Sequence, residues 1–495
     1  MTVPAQRIRA LNAAPVRRDG AYVLHWMTSA RRARFNPALE RAAELARGLD
    51  RPLVVLEALR IGYPHASDRL HAFVLQGMAD NARRLEGKAT YHPYVERAAG
   101  EGKGLLEALS AKACVVVGDD FPTFFLPRML EAAGRRLGEL GVRLEAVDAS
   151  CIVPFRLAGK DFPTAYAYRR FLQKHLVEWL EKLPVENPLR RLPAPVALPR
   201  EVLRRWPAAT LEALDRPGPL VSGLAIDHAV AAVEERGGAA AAEARLRGWL
   251  EGGLPRYETD RNEPDAEGVT SGLSPYLHFG HLGSFEVVST LLRREKWIPP
   301  EHGRADGARA GWWGLPAHVE GFLDQLVTWR ELGHVTSAHR PDHQAYGSLP
   351  EWAQATLAKH ARDEREHVYD LAALEGARTA DPLWNAAQRQ LVREGRMHNY
   401  LRMLWGKKIL EWSRSPEEAL RAMVRLNDRW ALDGRDPNSY SGIFWCLGRY
   451  DRPWGPERPV FGTIRYMSSQ NTARKVGVKR YLARFGEGGA QGRLL

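Results

Sequence analysis

Between Leu183 and Arg200 the run LPVENPLRRLPAPVALPR carries five prolines, and no other stretch constrains the fold as much. Each proline fixes φ and removes a backbone donor, so neither a helix nor a sheet strand continues through it and an extended connector is expected. On its N-terminal side, from Ala21 to about Ser150, short β-branched runs (AYVLHWM, RPLVVLEAL, ACVVVGDD and VRLEAVDA) alternate with longer charged segments rich in Ala and Leu. This is the rhythm of βαβ units around a parallel sheet. Pro37 to Leu49 and Leu126 to Leu140 have helical spacing and are expected as crossovers. Beyond the prolines strand signals nearly vanish, and amphipathic segments take over, beginning with the Ala-rich stretch Asp227 to Leu250. The expected organisation is an α/β domain over 1–182, a connector over 183–200 and an all-α domain over 201–495. A length of 495 residues agrees, since single cores stop growing near about 250 to 300 residues.

Lys plus Arg outnumber Asp plus Glu by 71 to 59, a net charge of +12 that attracts polyanions, nucleic acid first among them. The three cysteines, Cys114, Cys151 and Cys446, form no CxxC pair and leave an odd count, so neither a disulfide framework nor a metal site is expected. The N-terminal MTVPAQRIRALNAAPVRRDG has no apolar segment, and the apolar runs near Val54 and Val115 are too short to span a bilayer. A soluble, cytoplasmic, monomeric protein is expected. GEGKG (Gly100 to Gly104) lacks the Walker spacing and follows no clear strand, so it reads as a flexible loop. The Gly- and Pro-rich stretch Lys296 to His318 reads as a long surface loop.

Met397, Tyr400, Leu401, Leu404, Trp405, Ile409 and Trp412 recur at three- and four-residue intervals, one helical stripe facing a core. Taken alone, such a stripe is packing. On the same terms Arg402 and Asp433 would be a structural ion pair, Asn427 a helix-end asparagine and TSGLSP (Thr270 to Pro275) an ordinary helix cap.

Together, however, TSGLSPYLHFG (Thr270 to Gly280), DPLWNAAQ (Asp381 to Gln388), MHNYLRMLWGKKILEW (Met397 to Trp412), LDGRDPNSYSGIFW (Leu432 to Trp445) and RPVFGTIRYM (Arg458 to Met467) follow one another in order. This set resembles the flavin-binding core of class II cyclobutane-dimer photolyases, of the photolyase and cryptochrome family. The resemblance implies a Rossmann-like parallel sheet followed by a helical FAD-binding domain. It implies an electron relay with Trp405 nearest the flavin, then Trp384, then Trp412, a task that suits indoles because they give up an electron readily and touch through their edges. It implies an Arg402–Asp433 ion bridge beside the isoalloxazine ring and the Asn427 amide facing flavin N5. By the same resemblance Asp433, Gly434 and Arg435 would form a further flavin-binding stretch, and Tyr257 with Thr270, Ser271, Gly272, Leu273 and Ser274 is expected to hold the diphosphate. Trp329, Met403 and Trp445 would line the pocket for a base dimer swung out of the duplex. Trp454 and Arg465 would fill the hole it leaves, with Arg452 and Arg458 nearby to hold phosphates. The sheet domain would house an antenna chromophore, a deazaflavin or a folate.

There is one departure. In DQLVTWREL (Asp324 to Leu332) class II enzymes usually place a catalytic glutamate where this chain has Gln325, and an amide donates a hydrogen bond without shuttling a proton. Three functions therefore compete: a light-driven lyase that repairs double-stranded DNA carrying a UV lesion, a cryptochrome-like photoreceptor, which Gln325 favours, and a redox-inert nucleic-acid module, which explains the charge but not the motifs.

Overall fold

A computed structural model describes residues 2–299 and 304–488. The chain divides into two compact units, the first made of Met1–Leu157, His175–Leu246 and Gly272–Pro299, the second of Ala158–Lys174, Arg247–Ser271 and Pro300–Leu495. The proline-rich run 183–200, expected as the connector, falls inside the first unit. Its prolines keep it extended along the sheet, where Val196 N–H donates to Thr90 Oγ1 at 3.0 Å and Thr90 Oγ1 donates to Val196 O at 2.6 Å. Leu189 enters the core on one face of the sheet and Leu198 the core on the other.

The first unit is built on a six-stranded sheet. Its strands are β1 (Ile8–Ala10), β2 (Tyr22–Met27), β3 (Leu53–Leu59), β4 (Thr90–Val95), β5 (Ala113–Asp119) and β6 (Leu144–Val147), in the order β1-β6-β5-β2-β3-β4. All pairings are parallel except β1 with β6. The α/β expectation holds, and Pro37–Leu49 and Leu126–Glu139 form the crossovers read from their spacing. The alternation foresaw β2, β3, β5 and β6 but not β1 or β4. β4 escapes the pattern because Pro93 interrupts it, and a sheet tolerates proline only at an edge, which is where β4 lies.

One loop expectation and one helix expectation change. GEGKG does follow a strand, β4, and is folded on itself: Gly100 N–H and Gly102 N–H both donate to Glu96 Oε1, at 2.9 and 3.3 Å. The amides that a phosphate would need are already held by the neighbouring carboxylate. The stretch 227–250 is helical only from Ala239, because Gly238 has φ +102° and a Cβ on Gly237 would sit 2.0 Å from Phe73 O.

The second unit is helical. Residues 300–303 of the expected 296–318 loop lie outside the described residues. The part after them is pinned to the helix Ala165–Glu181, with Gly307 N–H donating to Gln173 Oε1 at 2.7 Å and Gln173 Nε2 donating to Ala308 O at 3.0 Å. Among the described residues all three cysteines are free and buried, no cluster of metal ligands occurs, and no helix is long and apolar enough to cross a membrane.

His281 in the first unit shows how closely this core is packed. Its Nδ1 accepts from Gly238 N–H at 2.9 Å, its ring lies 5.2 Å from that of Phe73, and burial lowers its pKa to about 3. The unfolded imidazole takes up a proton near its ordinary value of about 6.5 while the folded one refuses it, so the unfolded state binds more protons between the two values and stability falls as pH drops. Urea denaturation is expected to show unfolding free energy decreasing from pH 6.5 towards 5, by up to about 1.4 kcal/mol per pH unit for this histidine. In His281→Gln the slope should be shallower; an unchanged slope would remove His281 as the cause.

Candidate functional site

Local sequence sets the first indole. Asp381 is the N-cap of the helix Pro382–Glu394, its Oδ1 accepts from Trp384 N–H at 3.0 Å, and Pro382 opens the first turn. An Asp-Pro start leaves few ways to begin this helix, so Trp384 points inward, 0% exposed. The helix Asn399–Trp412 crosses it and supplies Trp405 and Trp412, each 3% exposed. Gly406 permits a close approach on the other side of that helix, since a Cβ there would meet Cys446 Sγ at 2.5 Å.

The structure brings the three indoles expected to work together onto one helix crossing. Trp384 Nε1 donates to Trp405 O at 3.0 Å, and Trp405 Nε1 donates back across the crossing to Gln388 Oε1 at 2.9 Å. The rings of Trp384 and Trp412 meet edge to face, 5.4 Å between centroids and 75° between planes. Beyond Trp412 lies the half-buried Tyr369, 5.2 Å away at 88°, and stacked on it His367 at 5.8 Å. A file of π systems thus runs from a fully buried indole towards solvent.

Arg402 is one turn before Trp405 on the same helix face, and it pairs with Asp433: Nη2 reaches Oδ1 at 3.2 Å and Nη1 reaches Oδ2 at 3.4 Å. Asp433 belongs to the turn between the helices Pro416–Trp430 and Pro437–Cys446. That turn is closed by Asp428, which accepts from Arg435 N–H at 3.0 Å and from the Tyr440 hydroxyl at 2.8 Å. Burial and the nearby Asp428 carboxylate hold the Tyr440 hydroxyl protonated well above its ordinary range. Arg435 has its guanidinium turned onto the carbonyls of Gly434 and Asp428 at 3.1 Å each, so its charge is spent on the backbone. Asn427 is buried; its Oδ1 accepts from Ser439 Oγ at 3.0 Å and its Nδ2 donates to Asp428 Oδ1 at 3.0 Å.

These groups fit a flavin ring, which needs polar partners on an apolar floor. His398, one turn before Arg402, has both ring nitrogens buried and without a hydrogen-bond partner among the described residues, and burial lowers its pKa to about 4. The Asn427 amide keeps one hydrogen with no partner among those residues. Tyr257 is packed edge-on against Trp249 and Phe322. Of the expected diphosphate cradle, Thr270 and Ser271 belong to the second unit and Gly272, Leu273 and Ser274 to the first. Ser274 is the first helical residue of Ser274–His278 and Leu273 its N-cap; Gly272 has φ +65°.

The expected lesion residues divide. Trp445, Arg465, Trp454 and Arg452 are neighbours: Arg465 Cζ lies 5.7 Å from the Trp445 ring and 4.9 Å from that of Trp454, and Arg452 Cζ is 4.7 Å from Trp454. Met403 is half-buried and offers its carbonyl to Cys446 Sγ at 3.9 Å. Gln325 and Trp329 share a wide π-helical turn, Asp324–Trp329, a local unwinding that re-aims side chains and recurs at functional sites. Trp329 packs edge-on to Tyr450, and neither it nor Gln325 is fully buried.

Three contributors went unread in the sequence. Gln388 lies one turn after Trp384 in the quoted DPLWNAAQ, so its spacing was a signal. Tyr369 lies outside every motif and carried none. Lys407 interrupts the apolar run after Trp405, and a charge there was the signal. Replacing Gln388 with Leu strands the Trp405 N–H in the core and is expected to lower unfolding free energy by about 1–3 kcal/mol. Chemical denaturation measures it; no loss would mean that the crossing relaxes around the change.

No protein-family model matches the chain. It is 33% identical over 488 residues to the deoxyribodipyrimidine photo-lyase of Methanothermobacter thermautotrophicus, covering 97% of this chain and 98% of that one. To the deoxyribodipyrimidine photo-lyase of Oryza sativa subsp. japonica it is 35% identical over 484 residues, covering 94% and 88%. A bacterial class III photolyase from Agrobacterium tumefaciens, known from a crystal structure, shares the fold with a TM-score of 0.64 at 18% identity, over 94% of this chain and 86% of that one. Relatives this similar over nearly their whole length, joined to the file of indoles and the motifs that place it, establish that the chain belongs to the deoxyribodipyrimidine photo-lyase family.

Proposed function

We propose that this protein is a DNA-repair lyase of the class II kind that splits cyclobutane pyrimidine dimers in double-stranded DNA under blue light, with FAD as its cofactor. The observation that carries the reading is the buried set Trp405, Trp384 and Trp412, in which Trp384 bonds the Trp405 backbone and meets the Trp412 ring edge-on, while Trp405 shares a helix face with Arg402. A reduced flavin held by Arg402, Asp433 and Asn427 would supply the one-electron chemistry that opens the dimer ring with no net redox change.

The chain's own residues bind and orient. Arg402 and Asp433 hold each other in a fixed, partly buried pair, side chains 26% and 12% exposed, which sets the charge beside the cofactor without net change. The Asn427 amide and the His398 imidazole provide neutral polar edges. Burial of Trp384 and Trp405 keeps water from the relay, and the edge contact between Trp384 and Trp412 keeps that hop short. Trp384 bonds the Trp405 backbone carbonyl and meets the Trp412 ring edge-on, which supports its place between the two in the order Trp405, Trp384, Trp412. The half-buried Trp445, Trp329 and Met403 supply stacking walls for a flipped dimer, and exposed Arg452 and Arg458 supply phosphate contacts. The sheet unit is read as the antenna-type domain, with a deazaflavin or a folate as its chromophore.

Gln325 favours a second reading, a cryptochrome-like photoreceptor, because an amide cannot exchange the proton that the family's glutamate exchanges. Repair decides between them. Reduced, flavin-loaded protein is expected to restore thymine-dimer DNA in blue light and not in darkness; loaded protein inactive in light would leave the photoreceptor. Trp405→Phe and Trp384→Phe are each expected to slow photoreduction of oxidised flavin at least tenfold while the already reduced variants repair at near wild-type rate. If photoreduction is untouched in both, the indole file is packing and nothing more.

A further inference from the structure

Lys407 is the buried charge that the reading above does not use. It lies in the helix Asn399–Trp412 two residues after Trp405, is 0% exposed, and has no carboxylate within ion-pair distance among the described residues. Burying an ammonium without an acidic partner costs several kcal/mol, and a methionine would fill comparable space without that cost. Two contacts compensate it. Its Nζ donates to Cys446 O at 2.7 Å, and Cys446 is the last residue of the helix Pro437–Cys446, where carbonyls lack intrahelical donors and the helix dipole is negative. The same Nζ lies 4.9 Å from the centroid of the Trp445 ring.

Trp445 is therefore in contact with two cations, Lys407 from the core and Arg465 from solvent, and Arg465 in turn reaches Trp454, which Arg452 covers. Trp454 is itself fixed by Nε1 donating to Asp451 Oδ1 at 3.0 Å and by its N–H donating to Thr463 O at 2.8 Å. Cation and indole alternate over five residues, Lys407, Trp445, Arg465, Trp454 and Arg452, from a buried anchor to an exposed edge. Each such contact is stronger the drier it is, so the Lys407–Trp445 contact is the strongest of the series and the others depend on where it holds the ring.

We propose that Lys407 is a positioning residue that fixes the Trp445 indole as a wall of the lesion pocket and, through Arg465, aligns Trp454 with it. This rests on the reading of Trp445 as a lesion-contacting residue. Its effect should fall on dimer binding and not on the light-driven step, because the contacts of the Lys407 ammonium are to the Cys446 carbonyl and the Trp445 ring. Burial lowers the Lys407 pKa to about 8; the groups acting on it are the Cys446 thiol and the Asp451 carboxylate, which raise it, and the Arg465 guanidinium, which lowers it. Burial pushes the Cys446 thiol up to about 11, so between pH 7 and 9.5 Lys407 changes charge before its bonded neighbour does.

The test uses full-length, flavin-loaded protein labelled with 5-fluorotryptophan, the Trp445 resonance being identified by its loss in Trp445→Phe. The expected results are that this resonance titrates with a midpoint near pH 8 in the wild type and not in Lys407→Met, and that Lys407→Met raises KM for thymine-dimer DNA about five- to twentyfold at pH 7 with kcat within twofold. Wild-type KM should rise through the same midpoint. A Trp445 resonance that is flat from pH 7 to 9.5 overturns the proposal, and this wild-type measurement stands even where Lys407→Met fails to fold. Unchanged KM in a folded variant overturns it as well. A titrating resonance in a protein that binds no dimer DNA supports the Lys407–Trp445 coupling and refutes the lesion-pocket reading instead, so the two failures are distinct.

Discussion

Two helices are joined through their indoles, and the candidate site depends on that joint. Trp384 donates into the backbone of the helix Asn399–Trp412, and Trp405 of that helix donates back to Gln388. Both N–H groups lie where water does not reach, and leaving either unpaired would cost about 1–3 kcal/mol. The crossing is therefore fixed in register as well as in angle. From it follow the edge contact between Trp384 and Trp412 and the place of Arg402 one turn away. A purely apolar crossing of the same volume would pack as well but would specify the ring planes less sharply, and charge transfer between indoles depends on those planes.

Buried polarity recurs at three places where this unit positions a candidate site residue. Asp428 closes the turn that presents Asp433, Arg435 is spent on the carbonyls around it, and Lys407 covers the end of the helix that presents Trp445. In each case a charged group satisfies backbone atoms left over where a helix starts or stops. In the first unit the same economy appears in GEGKG, whose amides are held by a neighbouring glutamate.

Much of this was legible beforehand. Four strands and two crossover helices announced themselves through hydrophobic period, and the pairing of Arg402 with Asp433 and the grouping of Trp384, Trp405 and Trp412 followed from motif resemblance. What escaped has a physical reason. β4 carries a proline that only an edge position tolerates, and edge positions are defined by the other strands. The helix expected from Asp227 starts at Ala239 because the preceding glycines must clear Phe73, a contact between residues more than 160 apart.

By itself the sequence determined what short-range chemistry controls: where helices begin, as at Asp381-Pro382, where strands run, and that the chain is α/β first and helical after. Only the tertiary structure decided that the proline-rich run lies along the sheet in the first unit, that Arg435 faces backbone, and that Lys407 is buried beneath Trp445. Caps and periodicities are settled by neighbours three or four residues away. Burial of a charge, or the partner of an indole, is settled by helices that meet only once the chain has folded.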